Sequence, residues 1–269
     1  MSPPPRNWRN ANGVAARLSH TELGSGTPIV ILHGLFGSKR NWGNVAKALS
    51  ARHRVFALDL RNHGDSAWHD DTRYDALAED IASFIHRHAL TPCTVIGHSM
   101  GGKTAMTLAL RHAQLVERLV VVDIAPAAKS SGLHAFVQAM RAVPLDTCDT
   151  RKDVEAHLGL VVTDVNVRQF LMQNLKREGD AFAWQLNLAA LDAGMDDIHD
   201  FPDFGPGQSY LGPTTFITGA KSDYVQPHHL GQIHRLFPNV TVTPVPGAGH
   251  WVHAEAQEAF LAAVWGVLA

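Results

Sequence analysis

Cysteine is scarce in this chain. The 269 residues include only Cys93 and Cys148, and neither has neighbours at metal-ligand spacing. Two cysteines do not make a disulfide framework of the kind that holds small secreted domains together. We therefore expect a cytoplasmic protein.

Long apolar runs and an excess of charge of one sign are also absent. No apolar stretch approaches the ~20 residues that span a bilayer, so we expect no membrane span. The formal net charge is −2, which gives no indication of a nucleic acid partner. Residues 1–13 are rich in proline and lack the apolar core of a signal peptide, so we expect a disordered lead-in.

Strand-like and helix-like patterns alternate in two parts of the chain, residues 14–125 and 213–269. Residues 28–32 form a continuous apolar run, which is typical of a strand buried on both faces. Residues 74–88 carry an apolar stripe at helical spacing. The alternation predicts an α/β fold with a mostly parallel sheet flanked by helices. Ligands of such sheets bind at the carboxyl ends of the strands.

Residues 126–212 interrupt this alternation. They contain four helical stretches and no evident strand. Because the segment follows the carboxyl end of a strand, we expect a helical cap that lies over the site.

The segment Gly97-His98-Ser99-Met100-Gly101 lies between an apolar run and a helical pattern. In a strand–turn–helix, Gly-x-Ser-x-Gly forms a nucleophile elbow. The serine occupies strained backbone there, so the residues two positions away must lack bulk. The following helix N-terminus favours developing negative charge. This pattern predicts Ser99 as a catalytic nucleophile.

The same stretch also fits Gly-x4-Gly-Lys-Thr, from Gly97 to Thr104, which is typical of phosphate-binding loops. Asp123, after an apolar run, would then be a magnesium ligand. However, such a loop tends to follow the first strand of its domain, whereas two or three strands precede this one. The pattern also leaves the glycine-rich segment around His250 unexplained. A nucleotide-binding protein is therefore the distant alternative.

A serine nucleophile needs a base and an oxyanion hole. His250 lies in a glycine-rich loop before the last helix, which makes it the candidate base. The backbone N–H of Met100 follows the nucleophile, and the N–H of Leu35 follows His33-Gly34. These two groups are the predicted oxyanion donors.

Five segments together carry a family resemblance. They are His33-Gly-Leu-Phe-Gly-Ser, Asp59-Leu-Arg-Asn-His-Gly-Asp-Ser, Gly97-His-Ser-Met-Gly-Gly-Lys, Val122-Asp-Ile-Ala-Pro and Gly249-His-Trp-Val-His. They resemble the α/β-hydrolase fold superfamily and, more closely, its YbfF-like esterase branch. The resemblance implies an eight-stranded sheet with the helical cap after the sixth strand. It also implies hydrolysis of carboxylic esters or thioesters with short to medium acyl chains, without a metal or organic cofactor.

Two aspartates compete for the role of the acid that orients His250. The superfamily commonly carries Gly-x-x-Asp-x-x-Val, in which the Asp is the acid. Between Gly219 and Val225 of this chain, Ser222 occupies the position of that Asp. Asp223 is one residue out of register, and a shift by one turns a side chain to the opposite side. Asp123 ends the preceding strand, where the YbfF-like branch places the acid. Asp123 is therefore favoured, and Asp223 remains the alternative.

The expected ligand is a small-molecule ester or thioester, with acyl-CoA among the candidates, bound by a monomer or a homodimer. A receptor that binds a small ligand with slow turnover is an alternative, because such receptors carry the same three residue types. The expected pocket residues are Phe36, His98, Phe136, Met140, Trp184 and Trp251. Of these, Phe36, Trp184 and the residues near Phe136 and Met140 are equally compatible with the core of the cap.

Overall fold

The computed structural model describes residues 15–129 and 132–269. The strands are β1 His20–Leu23, β2 Pro28–Leu32, β3 Arg54–Leu58, β4 Cys93–His98, β5 Val116–Val122, β6 Leu175–Glu178, β7 Ala181–Trp184, β8 Thr214–Gly219 and β9 Val240–Val245. The α-helices are α1 Gly43–Leu49, α2 Tyr74–Arg87, α3 Met100–Arg111, α4 Leu133–Ala142, α5 Arg151–Gly159, α6 Val165–Met172, α7 Leu188–Ala193, α8 Met195–His199, α9 Leu230–Leu236, α10 Val252–Glu255 and α11 Gln257–Leu268.

The main sheet has the strand order β1-β3-β2-β4-β5-β8-β9. Its neighbours run parallel, except that β1 is antiparallel to β3. The mostly parallel α/β sheet predicted from the sequence is therefore confirmed. No helix in the described ranges has the length and apolarity needed to cross a bilayer.

Helices cover both faces of this sheet, and β2 illustrates why its residues are all apolar. Ile29 and Ile31 face one hydrophobic core, which includes residues of α1 and α11. Val30 and Leu32 face the other core, which includes residues of α2 and α3. Because successive side chains point to opposite faces, a strand covered on both sides needs apolar residues throughout.

The described part of the main sheet has seven strands, one fewer than the eight that the resemblance implies. Residues 15–19 do not form a strand, and the backbone N–H of Ala16 donates to Asp80 of α2. The N–H of Ala67 donates to the carbonyl of Arg17, and the N–H of Ser19 donates to Ser66 Oγ. Counted over the described residues, the inserted segment follows the fifth strand, where the resemblance implies the sixth. The expected lead-in over residues 1–13 lies outside the described residues.

The cap comprises the residues between β5 and β8, and it contains α4 to α8 together with a β-hairpin. The expectation of helices without strands is wrong here, because β6 pairs with β7 in an antiparallel hairpin. Gly179 has a φ of 62° in the tight turn that joins them, which glycine adopts without strain. Phe182 and Trp184 alternate with alanines, so that their side chains are buried within the cap.

Candidate active site

Ser99 occupies a sharp turn between the end of β4 and the start of α3. Its φ of 51° and ψ of −118° are strained for a residue with a side chain. A Cβ atom on Gly97 would lie 2.2 Å from the Gly101 oxygen, and one on Gly101 would lie 2.5 Å from the His33 oxygen. Both glycines of the Gly-x-Ser-x-Gly motif are thus steric requirements of this turn.

His250 and Asp123 form a hydrogen-bonded pair at the carboxyl ends of the strands. His250 follows β9, and the fully buried Asp123 follows β5. Nδ1 of His250 lies 2.8 Å from Oδ2 of Asp123. Because an ionised carboxylate only accepts hydrogen bonds, Nδ1 is the donor in this contact, and Nε2 is the acceptor in the tautomer of the neutral ring that the contact selects.

Two further donors hold the Asp123 carboxylate. The backbone N–H of Gly219 donates to Oδ1 at 2.9 Å, and Ser222 Oγ donates to Oδ2 at 2.5 Å. These bonds compensate for the hydration that a buried carboxylate loses. The sequence motifs assigned no role to Ser222. Ser222 occupies the position that the acid usually has in this superfamily, and that position is the sequence signal for its contact with Asp123.

Asp223 lies away from this cluster. Its side chain is 73% exposed, and Oδ2 pairs with Lys129 Nζ at 2.7 Å. The hydrogen bond from Lys129 lowers the pKa of Asp223. Ser222 thus contacts Asp123, whereas Asp223, one residue later, pairs with a lysine at the surface.

The loop that carries Leu35 lies against Ser99. A Cβ atom on Gly34 would lie 3.1 Å from the Cβ of Ser99. Nδ1 of His33 donates to the Gly34 carbonyl at 2.8 Å, and its Nε2 accepts a backbone N–H from the segment after β3. Burial lowers the pKa of His33, so the ring stays neutral as these two bonds require. Met100, the other predicted donor, is the first residue of α3.

A pocket of about 310 Å³ adjoins Ser99 and His250. Its wall is mostly apolar, as is usual for small-molecule sites. Across residues 15–129 and 132–269, no group of three or more His, Cys, Asp and Glu side chains is arranged to hold a metal ion.

Four of the six predicted pocket residues line this pocket, namely Phe36, His98, Phe136 and Trp251. The structure places Met140 and Trp184 instead in the core of the cap, where Trp184 Nε1 donates to the Met140 carbonyl at 2.9 Å. Helix α6 contributes lining residues that the sequence analysis missed, and the signal for them is the apolar face of that helix. They are Val167, Phe170 and Leu171.

Aromatic contacts fix the ring and the loop of His250. Tyr224 stacks on the His250 ring with 3.7 Å between centroids and 16° between planes. On the backbone side, His98 Nε2 donates to the His250 carbonyl at 2.9 Å. Burial holds the pKa of His98 well below its usual value, so this ring is a neutral donor. These contacts limit how far the His250 ring can rotate.

The sequence of residues 27–257 matches the alpha/beta hydrolase fold family. The chain belongs to this family. The matched range contains all the predicted site residues, so the resemblance stated from the motifs is confirmed.

Several relatives of this hydrolase carry names of esterases and lipases. The sn-1-specific diacylglycerol lipase ABHD11 of Mus musculus is 46% identical over 90% of this chain and 80% of the relative. Esterase YbfF of Escherichia coli is 33% identical over 88% of this chain and 91% of its own length. A solved structure described as a marine microorganism esterase has a TM-score of 0.90 at 33% identity, covering 94% of this chain and 99% of that one. The chain is thus an enzyme of the YbfF-like branch.

Lys103 does not face a phosphate site in this hydrolase. Its side chain is buried, and Nζ donates to the carbonyls of His199 and Asp200, both at 2.8 Å. These carbonyls close α8, the last helix of the cap. Lys103 therefore ties the cap to the helix that follows Ser99, and the nucleotide-binding alternative is not supported.

Lys103→Met is expected to change how the stability of the enzyme depends on pH. Burial lowers the pKa of Lys103 from 10.5 to about 8. Between these two values the unfolded chain binds more protons than the folded one. This lysine therefore makes the free energy of unfolding rise with pH, by about 3 kcal/mol over the interval. Urea unfolding of the wild type and of Lys103→Met between pH 8 and 10.5 measures the free energy of unfolding of each protein. If the difference between the two free energies does not change with pH, the expectation is wrong.

Proposed function

We propose that this hydrolase cleaves carboxylic esters or thioesters with short to medium acyl chains through an acyl-enzyme at Ser99. One observation carries the proposal. Ser99 and His250 line the same pocket, and His250 donates from Nδ1 to the buried Asp123. This leaves Nε2 as a base on the wall of the pocket that Ser99, in its strained turn, also lines.

In the first half of the reaction, Nε2 of His250 removes the proton of Ser99, and Oγ attacks the acyl carbonyl. Asp123 stabilises the imidazolium that forms. The N–H groups of Leu35 and Met100 stabilise the oxyanion of the tetrahedral intermediate. Each such donor contributes about 100- to 1000-fold in rate. The intermediate then collapses, the bond to the alcohol or thiol breaks, and His250 protonates the leaving group.

In the second half, water replaces the leaving group. His250 removes a proton from the water, whose oxygen attacks the acyl-serine carbonyl. Collapse of the second intermediate releases the carboxylic acid, and the proton held by His250 returns to Ser99. The groups that served the first half thus serve the second, and Ser99 is regenerated.

The pocket supports the proposed range of acyl groups. Its volume of about 310 Å³ is at the lower end for small-molecule sites, and its apolar wall suits an alkyl chain. Similarity to the mouse diacylglycerol lipase adds acylglycerols to the candidate substrates. Acyl-CoA is the thioester candidate. We propose a cytoplasmic location and a monomeric or homodimeric state.

A fluorophosphonate probe tests the proposal directly. We expect stoichiometric labelling, with the adduct on the peptide that contains Ser99, because the probe reacts with an activated serine and mimics the oxyanion. Mass spectrometry of the digested protein identifies the labelled residue. A panel of p-nitrophenyl esters and acyl-CoAs of increasing chain length then measures kcat/KM.

Folded protein that the probe leaves unlabelled would contradict the proposal. So would a single turnover without release of the acid, which is the behaviour of a slow ligand receptor. Chain-length preference decides the substrate class, since a pocket of this size is expected to lose activity as the acyl chain outgrows it.

A further inference from the structure

The turn that carries Leu35 is strained at the following residue. The N–H of Gly37 donates to the Gly34 carbonyl at 2.9 Å and closes the turn. Phe36, its third residue, has a φ of 62°. This backbone region suits glycine, and a residue with a bulky side chain stays there only when surrounding contacts impose it. The two peptide groups of Phe36 therefore need partners that hold them.

His63 holds the N–H of Phe36. The N–H donates to His63 Nε2 at 3.3 Å, while His63 Nδ1 lies 2.9 Å from the Arg61 carbonyl and donates to it. Burial lowers the pKa of His63 to about 3, so Nε2 remains an unprotonated acceptor at neutral pH.

Asn174, which lies between α6 and β6 of the cap, holds the carbonyl of Phe36. Its Nδ2 donates to the Phe36 oxygen at 2.8 Å and to the Leu171 oxygen at 3.2 Å. Because both partners are carbonyl oxygens, the amide nitrogen rather than the amide oxygen must face them. The side chain is buried, and the Asn174 carbonyl accepts the N–H of Gln185 at 2.7 Å. Asn174 is thus fixed within the cap while it reaches the core.

Both partners of Phe36 lie on one seam between the cap and the core. His63 pairs with Leu186 of the cap in a β-bridge, and the N–H of Asn187 donates to the Asn62 carbonyl at 3.0 Å. The position of the cap on this seam therefore sets the position of the Asn174 amide against Phe36.

We propose that Asn174 is a positioning residue. It couples the position of the cap on the core to the direction of the Leu35 N–H in the oxyanion hole. The inference rests on the proposed function, in which the Leu35 N–H stabilises the oxyanion. Asn174 and His63 together hold Phe36 at its positive φ, and this keeps the Leu35 N–H directed at the reacting carbonyl. When the Nδ2 donor is lost, Phe36 relaxes and the Leu35 N–H turns away.

Asn174→Asp and Asn174→Ala test this role. The first keeps the shape but sets a carboxylate oxygen against the Phe36 carbonyl, and the second removes the donor without adding charge. We expect kcat to fall by about 100-fold in both variants, with KM within about threefold of the wild type, because an oxyanion donor acts mainly in the transition state.

Gln173→Ala is the matched control. Gln173 is the adjacent residue, and its Oε1 accepts a hydrogen bond from Asn41 Nδ2 at 2.7 Å. This bond also joins the cap to the core, but it does not touch the Phe36 peptide groups. We expect the activity of this variant to stay within about twofold of the wild type.

A trifluoromethyl ketone gives a second readout, because Ser99 adds to its carbonyl and forms a hemiketal oxyanion. Its affinity is expected to fall by the same factor as kcat/KM in both Asn174 variants. Wild-type kcat in both, a loss confined to KM, or loss of the fold in both by thermal unfolding would overturn the proposal. A wild-type enzyme that neither hydrolyses esters nor binds the ketone would instead overturn the proposed function, and this inference with it.

Discussion

Ser99→Ala is expected to lower kcat by about 10⁶-fold, which is the loss typical of removing a serine nucleophile. The variant is expected to fold like the wild type. The substitution removes one oxygen atom at the wall of the pocket. Without Oγ no acyl-enzyme forms, and substrate binding and the oxyanion donors alone give only a small residual acceleration. Hydrolysis of p-nitrophenyl butyrate measures the loss, and mass spectrometry of the quenched reaction checks for the missing acyl-enzyme.

Ser99→Gly is the matched variant for the backbone. It also lacks the nucleophile, but glycine adopts a φ of 51° without strain. We therefore expect Ser99→Gly to be more stable than Ser99→Ala by about 1 kcal/mol in denaturant unfolding. Equal stability would show that the turn is not strained. Activity in either variant close to that of the wild type would remove Ser99 from the mechanism.

The main sheet could be predicted because its determinants are local. Residues of β2 lie between parallel neighbours and under helices on both faces, so the strand has to be apolar throughout, and such a run is visible in the sequence. The hairpin of the cap has no such pattern. Strand β6 has the sequence Leu-Lys-Arg-Glu, and its pairing with β7 depends on packing inside the cap. Short strands of this kind leave too little periodicity to distinguish them from a helix.

The candidate site shows the same division between local and distant determinants. The geometry around Ser99 depends on nearby glycines, which the motif contains. Asp123 and His250 are 127 residues apart. In the sequence, only the register of Asp223 and the resemblance to the YbfF-like branch indicate that Asp123 is the acid partner of His250. The contact between Asn174 and Phe36 joins residues that are 138 positions apart, and neither segment carries a sequence pattern that predicts the contact. It depends on how the cap sits on the core, which only the folded chain fixes.

The contacts of Asp123 and Asp223 show why substituting the buried aspartate and substituting the exposed one should affect catalysis differently. Asp123 accepts hydrogen bonds from His250, Ser222 and the backbone of Gly219, and water does not reach it. Asp223 is largely solvated and pairs with a lysine on the surface. Exposed ion pairs contribute little to stability, whereas a buried carboxylate that orients a ring sets the tautomer of that ring.

Asp123→Asn is therefore expected to lower kcat by about 10⁴-fold, whereas Asp223→Asn is expected to retain activity within about twofold. An asparagine amide can donate to Nδ1 of His250, which places the proton on Nε2 and leaves no base for Ser99. The pH-rate profiles of both variants and the wild type, together with the rate of fluorophosphonate labelling at Ser99, measure the difference. If Asp223→Asn loses activity and Asp123→Asn does not, the hydrogen bond between His250 and Asp123 has no role in catalysis, and the acid acts from the exposed position.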